Sequence, residues 1–261
     1  MSGSYRIQDV IDLMVGLAPP RLAASWDNVG LMVGDPARPL RGITVALDPT
    51  FEAVEAAIAQ GSNLVVVHHP LLFKPPKSLD LRQEPGRTLQ ALIKADCALY
   101  AAHTNLDATA VNLALAAVLG LEGTDILDRT GEDEGFGLVG DLDAPCTLAE
   151  LGLRAKQALG IQAARIVGPA DRVIRRVAWL GGSGGDYWKQ ALAAKADAYI
   201  TGEIRHHAAL DGLAGGLCFV EVGHVGSEQP VVPHVAKYLA AQLGPHVPVH
   251  ALHQVDPFVI V

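Results

Sequence analysis

The stretch NLVVVHHPLLF, residues 63–73, joins a strand pattern to two adjacent histidines. Leu64–Val67 is a short apolar run of mainly β-branched residues, which predicts a buried strand. His68 and His69 follow directly, and Pro70 then turns the chain away. Two interpretations are open at this point: the histidines are structural residues of a turn, or the strand carries two imidazoles to a site.

Apolar runs and helical periods alternate on both sides of this stretch. Strands are predicted at 43–47 and 97–103, and helical patterns cover 49–61, 86–96 and 109–120. This strand–helix rhythm predicts a mainly parallel sheet flanked by helices. A second series of the same kind comprises helices at 148–159, 187–194 and 230–243 and strands at 164–167, 176–180, 198–201, 217–222 and 247–255.

The segment 127–145 interrupts this rhythm. It is rich in glycine and acidic residues and has no helical period, so we place a domain junction there. The chain is therefore predicted to be an α/β protein of two lobes, each with a mainly parallel or mixed sheet flanked by helices. The first lobe would comprise residues 1–128 and 224–261 and carry most of the candidate ligands, and the second would comprise 129–223.

Composition excludes several classes of protein. Half of the 261 residues are hydrophobic, yet no apolar run approaches the ~20 residues that span a bilayer. The N-terminal pattern is that of an amphipathic helix and not of a signal peptide. The three cysteines form no C-x-x-C pair, which argues against disulfides and a thiolate zinc site, and a net charge of −8 argues against a nucleic-acid binder. We predict a cytoplasmic globular protein.

Polar side chains follow four predicted strands at the point where each strand ends. In open parallel sheets ligands bind at these carboxyl ends, so the side chains are expected to converge. Neutral imidazole and carboxylate are ligands for Zn, Mn, Fe, Co or Ni, and two ions ~3.5–4 Å apart need a set of about this size. The candidate residues are His68, His69, His103, Asp107, His224 and Glu228, with Glu203 at a further strand end.

Each candidate also has a structural alternative. A single histidine at a strand end is more often a hydrogen-bonded structural residue than a ligand. Asp107 could cap the helix predicted from Thr109, and Glu228 could lie at a helix N-terminus for the dipole alone. The occurrence of all of them at strand ends favours a metal site.

Five motifs in this order resemble one known family over nearly the whole chain. They are SWDNVGLMVGD (25–35), VVVHHPLLF (65–73), YAAHTNLDA (100–108), YITGEIRHH (199–207) and EVGHVGSE (221–228). The set resembles the dinuclear-metal-centre proteins known as GTP cyclohydrolase type 2 homologues, the Nif3-like family, in the short form without an inserted domain. The resemblance implies a Nif3-like fold of two α/β lobes and a homohexamer built as a trimer of dimers.

The resemblance also implies that each chain binds two divalent ions. The resemblance places His103 adjacent to the site. Glu203 and His103 are the candidates for proton transfer. The metal ligands carried over by motif are His68, His69, Asp107, His224 and Glu228.

Two other stretches leave alternatives open. Asp27 and Asn28 would orient ligands or substrate, or they form an Asx turn with Trp26 packed beneath it. The run 181–185, GGSGG, fits a nucleophile elbow at Ser183 with His224 as the base, an anion cradle, or a plain tight turn. The nucleophile interpretation would leave most of the candidate ligands without a role.

The favoured function is hydrolysis by a metal-activated water, and the resemblance implies a nucleotide or a related small molecule as the substrate. A non-catalytic metal carrier or regulatory scaffold would use the same ligands, so the motifs do not separate the two. Neither a membrane nor a nucleic acid is an expected partner. The residues quoted specify neither the metal nor a purine pocket.

Overall fold

The computed structural model of the protein describes residues 5–121, 125–132 and 134–260. Its strands are β1 (Gly30–Val33), β2 (Ile43–Ala46), β3 (Leu64–Val67), β4 (Ala98–Ala101), β5 (Asp125–Arg129), β6 (Gly135–Thr147), β7 (Arg165–Val167), β8 (Val173–Leu180), β9 (Ala198–Thr201), β10 (Cys218–Glu221) and β11 (Val249–Ala251). Its helices are α1 (Ile7–Leu17), α2 (Phe51–Ala59), α3 (Gly86–Lys94), α4 (Thr104–Leu106), α5 (Asn112–Leu119), α6 (Leu148–Leu159), α7 (Trp188–Ala193), α8 (His206–Ala214), α9 (His224–Glu228) and α10 (Val231–Leu243). None of the described helices is long and apolar enough to cross a bilayer.

The chain forms two compact units. Unit 1 comprises Met1–Leu106 and Val232–Gln254 and contains a five-stranded sheet of order β1-β4-β3-β2-β11. Strands β4, β3, β2 and β11 are parallel, and β1 pairs with β4 in the antiparallel direction at one edge. The residues of β2, β3 and β4 are buried along their length, and alternate apolar residues of these strands pack with α2 and α3.

Unit 2 comprises Asp107–Val231 and Val255–Val261 and contains a six-stranded sheet of order β5-β6-β8-β9-β10-β7. Strands β8, β9 and β10 are parallel neighbours, while β5, β6 and β7 pair in the antiparallel direction. Trp179 on β8 is fully buried, and its indole N–H donates to the backbone carbonyl of Asn112 at 3.0 Å. That bond fixes the start of α5 against this sheet.

The predicted α/β class with mixed sheets is confirmed, and the segment 127–145 is the main local difference from prediction. It forms β5 and β6, an antiparallel pair in which Asp128 lies opposite Phe136. Burial alternates along β6 from Gly135 to Val139, a period-2 pattern that is obscured in the sequence because two of the buried positions are glycines. The segment is therefore part of a sheet and not a junction.

The structure also divides the chain at other positions than the predicted ones. Residues 107–128 belong to unit 2, because Leu115 and Ala116 of α5 lie in the core of its sheet and β5 pairs with β6. The return to unit 1 comes at Val232 instead of residue 224. His224 and Glu228 therefore lie in unit 2, together with Asp107.

Candidate metal centre

Three adjacent parallel strands of unit 1 carry polar side chains to one edge of their sheet. Ala46 pairs with Val67, and Val67 pairs with Ala101, so β2, β3 and β4 end level with one another. The chain continues from these ends into Asp48, His68 with His69, and His103 respectively. The strand pattern thus explains why residues far apart in the sequence form one cluster.

The three histidines of this cluster are close and are fixed in orientation. Their ring centroids lie 4.8 Å apart for His68 and His69, 5.2 Å for His68 and His103, and 5.5 Å for His69 and His103. Nδ1 of His68 donates to the carbonyl of Ala102 at 3.1 Å, and Nδ1 of His69 donates to Asp48 at 2.8 Å. Since these acceptors are a carbonyl and a carboxylate, each ring in its neutral form carries its lone pair on Nε2.

Asp27 gives His103 the same orientation. Its carboxylate is fully buried and accepts hydrogen bonds from His103 Nδ1 at 2.9 Å and from the backbone N–H and hydroxyl of Thr104. Burial acts to raise the pKa of Asp27, but the hydrogen bonds from Thr104 and His103 outweigh it and the pKa is lowered. Burial and then the neighbouring His68 lower the pKa of His103, which favours a neutral ring. Orientation of a histidine is therefore the role of Asp27, and Trp26 is exposed, not packed beneath it.

Asp48 belongs to the same cluster, although it was not among the residues predicted from the sequence. Its carboxylate holds His69, and Gln254 in turn holds its backbone: Oε1 of Gln254 accepts from the N–H groups of Leu47 and Asp48, while Nε2 donates to the carbonyl of Asp48. The strand-end pattern that found the histidines applies equally to β2, which runs into Asp48. Gln254 has no comparable signal in the sequence.

Unit 2 builds a second cluster in the same way from β8, β9 and β10. Leu180 pairs with Thr201, and Thr201 pairs with Glu221, so these ends are also level. Nδ1 of His224 donates to Glu203 at 2.8 Å, which again places the lone pair on Nε2. Glu203 is about half exposed, whereas the carboxylate of Glu228 is buried.

Nε2 of His224 and Oε2 of Glu228 lie 3.1 Å apart. When His224 is neutral and donates through Nδ1, both facing atoms carry lone pairs, and they attract each other only through a proton or a metal ion between them. Two ligands at 2.0–2.2 Å from one divalent ion lie roughly 2.8–3.6 Å apart for angles between octahedral and tetrahedral. The spacing therefore fits an imidazole nitrogen and a carboxylate oxygen on the same ion.

Gly182 allows this carboxylate to lie against the backbone. A Cβ at Gly182 would lie 2.0 Å from Oε1 of Glu228, and φ at this residue is +62°. The N–H of Gly182 donates to the hydroxyl of Ser227, and its carbonyl accepts from the N–H of Glu203. The glycine-rich turn at 181–185 thus provides space for Glu228 and links it to the end of β9.

The remaining predicted residues lie as follows. Asp107 begins a π-helical turn, Asp107–Val111, that leads into α5, and the side chain of Asn112 donates to its carbonyl. Ser183 is exposed, and His224 faces Glu203 and Glu228 through its two nitrogens. The structure therefore assembles His68, His69 and His103 in unit 1, and His224, Glu203 and Glu228 in unit 2. That His68, His69, Asp107, His224 and Glu228 form one ligand set stays a prediction.

The donor atoms of both clusters suit a divalent ion of the first transition row. In unit 1, one ligand atom from each of His68, His69 and His103 lies within 4.8 Å of the others. In unit 2, the pair His224 and Glu228 adds a buried carboxylate. Neutral imidazole with carboxylate binds Zn, Mn, Fe, Co or Ni, and hard ions such as Ca²⁺ would favour more oxygen ligands.

Comparison with known proteins gives a consistent result. A model of the family described as Duf34/NIF3 (NGG1p interacting factor 3) matches residues 5–257. A protein of Clostridium perfringens named GTP cyclohydrolase 1 type 2 homolog is 36% identical over 242 residues, which cover 91% of this chain and 92% of that protein. A protein of the same name from Streptomyces coelicolor is 35% identical over 235 residues, covering 86% and 82%.

A solved structure agrees with these relatives. The crystal structure of a Bacillus cereus protein related to NIF3 superposes with a TM-score of 0.95 at 28% identity, and the match covers 100% of both chains. The similarity therefore extends over both units and includes all the motifs that carry the histidines and carboxylates.

Proposed function

Because the chain belongs to the Duf34/NIF3 family, we propose that it is a metal-dependent hydrolase that binds two divalent ions. The observation that carries this proposal is the common orientation of four histidines. His68, His69, His103 and His224 each donate through Nδ1 to an oxygen acceptor, three of which are carboxylates. That arrangement is typical of metal-bound histidine, in which a second group fixes the ring and raises the basicity of Nε2.

The proposed ligands come from both clusters. His68 and His69 would contribute imidazoles, and Glu228, held against Gly182, would contribute a buried carboxylate able to bridge two ions. Asp107 is included because the resemblance assigns it, with His103 as an adjacent residue. The full proposed set is His68, His69, Asp107, His224 and Glu228.

The chemistry at such a site divides between the ions and the chain. Divalent ions lower the pKa of bound water and polarise the group that is attacked. Asp48, Asp27 and Glu203 hold the histidines in place. Glu203 is also our candidate for passing protons to solvent, because its half-exposed carboxylate is bonded to His224 through only one oxygen in the described contacts. His103, paired with Asp27, is the second candidate.

The substrate class is proposed from the relatives. Those most similar to this chain include proteins named GTP cyclohydrolase 1 type 2 homolog, so a nucleotide or a related small molecule is the substrate to test first. The name belongs to those proteins and does not fix the reaction of this one.

Metal content of the purified protein tests the proposal. Elemental mass spectrometry should find about two first-row ions per chain in the wild type and fewer in His68→Ala and Glu228→Ala. The matched controls are His246→Ala and Glu55→Ala, which remove an exposed imidazole and an exposed carboxylate and should leave the content unchanged. A wild type without metal, not restored by Zn, Mn or Fe, would contradict the dinuclear site.

Catalysis needs a separate measurement, since a metal carrier or scaffold would pass the first one. The loaded protein should hydrolyse at least one member of a panel of nucleotides and phosphoesters, and a chelator should abolish that activity. Full metal content with no turnover across the panel would reject the hydrolase and leave the carrier.

The homohexamer expected from the resemblance is part of the proposal as well. Light scattering on the eluted protein would give a mass of six chains if it is correct. A monomer or dimer would reject it without affecting the metal assignment of the individual clusters.

A further inference from the structure

Two exposed aromatic rings lie beside the histidine cluster of unit 1. The ring planes of Trp26 and Phe73 are nearly parallel, at 14°, with centroids 6.2 Å apart. Both rings also contact the imidazole of His103 in edge geometry, at 6.1 Å for Trp26 and 5.3 Å for Phe73. Trp26 nevertheless exposes 63% of its surface and Phe73 exposes 46%, so much of the pair faces solvent.

This pair is held in place by the residues around it. The side-chain amide of Asn28 donates to the carbonyl of Leu72, which ties the segment of Trp26 to that of Phe73. Between Trp26 and Asn28, the buried carboxylate of Asp27 is bonded to His103 and Thr104. A large aromatic ring that is fixed in position but left exposed contributes little to folding. A pair of such rings next to a candidate site is typical of a ligand-binding surface.

Charge beside the pair indicates the kind of ligand. Lys74 and Lys77 follow Phe73 in the same exposed segment, in a chain whose net charge is −8. Among the salt bridges of the described residues, neither lysine has a carboxylate partner. An exposed pair of stacked rings, followed in the chain by two exposed lysines, suits a ligand that combines an aromatic ring with negative charge.

We propose that Trp26 and Phe73 form a platform on which the base of a nucleotide stacks, with its phosphates towards Lys74 and Lys77. Stacking of a base on an aromatic side chain tolerates different bases, because each base has a π-face. The contacts to His103 place the platform directly beside the candidate ligands. This inference rests on the proposed function for the reaction, but the stacking itself requires no turnover.

Binding of GTP to the full-length, metal-loaded protein tests the platform by calorimetry. Trp26→Ala should lower the affinity for GTP by about fivefold to 150-fold, the range expected when one stacked aromatic side chain is removed. Trp26→Phe should restore most of the affinity. Guanosine should show the same dependence on Trp26, and inorganic triphosphate should show none. Ile93→Ala, which removes an exposed apolar side chain from α3, is the matched control and should bind like the wild type.

A second readout reports contact directly. GTP should quench the fluorescence of the wild type, and the quenching should largely disappear in Trp26→Phe although binding persists. Equal affinity of GTP for wild type and Trp26→Ala, or failure of the wild type to bind GTP, ATP or guanosine, would overturn the platform. A wild type that holds no metal would instead overturn the proposed function. Binding of guanosine to that metal-free protein would still show whether the platform exists.

Discussion

The two clusters use the same strand geometry and orient their histidines alike, but unit 2 positions its buried carboxylate by a different means. In unit 1, the histidines follow β3 and β4, and side chains such as Asp48 and Asp27 hold them in orientation. In unit 2, His224 and Glu228 lie one helical turn apart on α9, and the space for the carboxylate is made by a glycine, Gly182. A ligand can therefore be positioned either by a hydrogen-bonding partner or by the absence of a side chain beside it. The first arrangement is disrupted by removing a side chain, and the second by adding one.

The largest effect on ion binding is expected for Gly182→Ala. The added methyl group would occupy the position of Oε1 of Glu228, and the carboxylate would have to move because it is the flexible partner in the contact. Ion content should fall as far as in Glu228→Ala. The free energy of unfolding should fall by only about 1–2 kcal/mol, which is the cost of a non-glycine residue at positive φ.

Gly160→Ala is the control that separates these two causes. Its φ of +64° nearly equals that of Gly182, but a Cβ there meets nothing within 4 Å. It should lose the same stability and keep all of its metal. Equal ion content in the two variants, by elemental mass spectrometry, would show that Gly182 does not set the position of the carboxylate.

Asp48→Ala is the corresponding change in unit 1 and should act less strongly. His69 would remain but lose the carboxylate that orients it, and loss of such a partner lowers metal affinity by roughly 10- to 100-fold. Asp48→Asn should be milder, because the amide oxygen still accepts from Nδ1. Affinity is measured by competition with a chromogenic chelator.

Asp96→Asn is matched to Asp48→Asn, since each removes one negative charge from unit 1, and Asp96 is paired with Arg38 on the surface. Its metal affinity should equal that of the wild type. If the two variants weakened binding equally, general charge and not orientation of His69 would explain the effect.

Asp27→Ala should affect folding more than it affects ion binding. The substitution removes the buried acceptor of Thr104 and His103, and leaving buried donors without an acceptor costs about 1–3 kcal/mol. Urea unfolding of the metal-free protein measures this loss. Asp12→Ala, on the exposed face of α1, should lose well under that amount, and a similar loss in both would show that the buried network is not special.

The proximity of the histidines of unit 1 could be predicted from the sequence because strand periodicity and strand ends are local properties. His68 and His69 directly follow an apolar run, and parallel register then brings them to His103. The same rule would have found Asp48 after β2. Gln254 could not be found, because its contact with Asp48 depends on the pairing of β11 with β2, some 200 residues apart in the chain.

Unit 2 was predicted less well for an equally physical reason. In β6, glycines occupy buried positions where apolar side chains would normally stand, and acidic residues occur in both strands, so the period-2 pattern is weak and the hairpin resembled a linker. The role of Gly182 was also hidden, since a glycine that makes room for Glu228 looks the same in sequence as a glycine of a tight turn. What decides between them is a contact with a residue 46 positions later.

Ser183→Ala should have the smallest effect of these substitutions, and it tests the role of the glycine-rich turn. The motif around Ser183 matches a nucleophile elbow, but His224 faces Glu203 and Glu228 through its two nitrogens. We therefore expect unchanged ion content and a change in unfolding free energy within about 0.5 kcal/mol, as for most surface substitutions. Hydrolysis that survived a chelator but disappeared in Ser183→Ala would instead make the serine the nucleophile, and the glycines would then serve to expose it and not to admit Glu228.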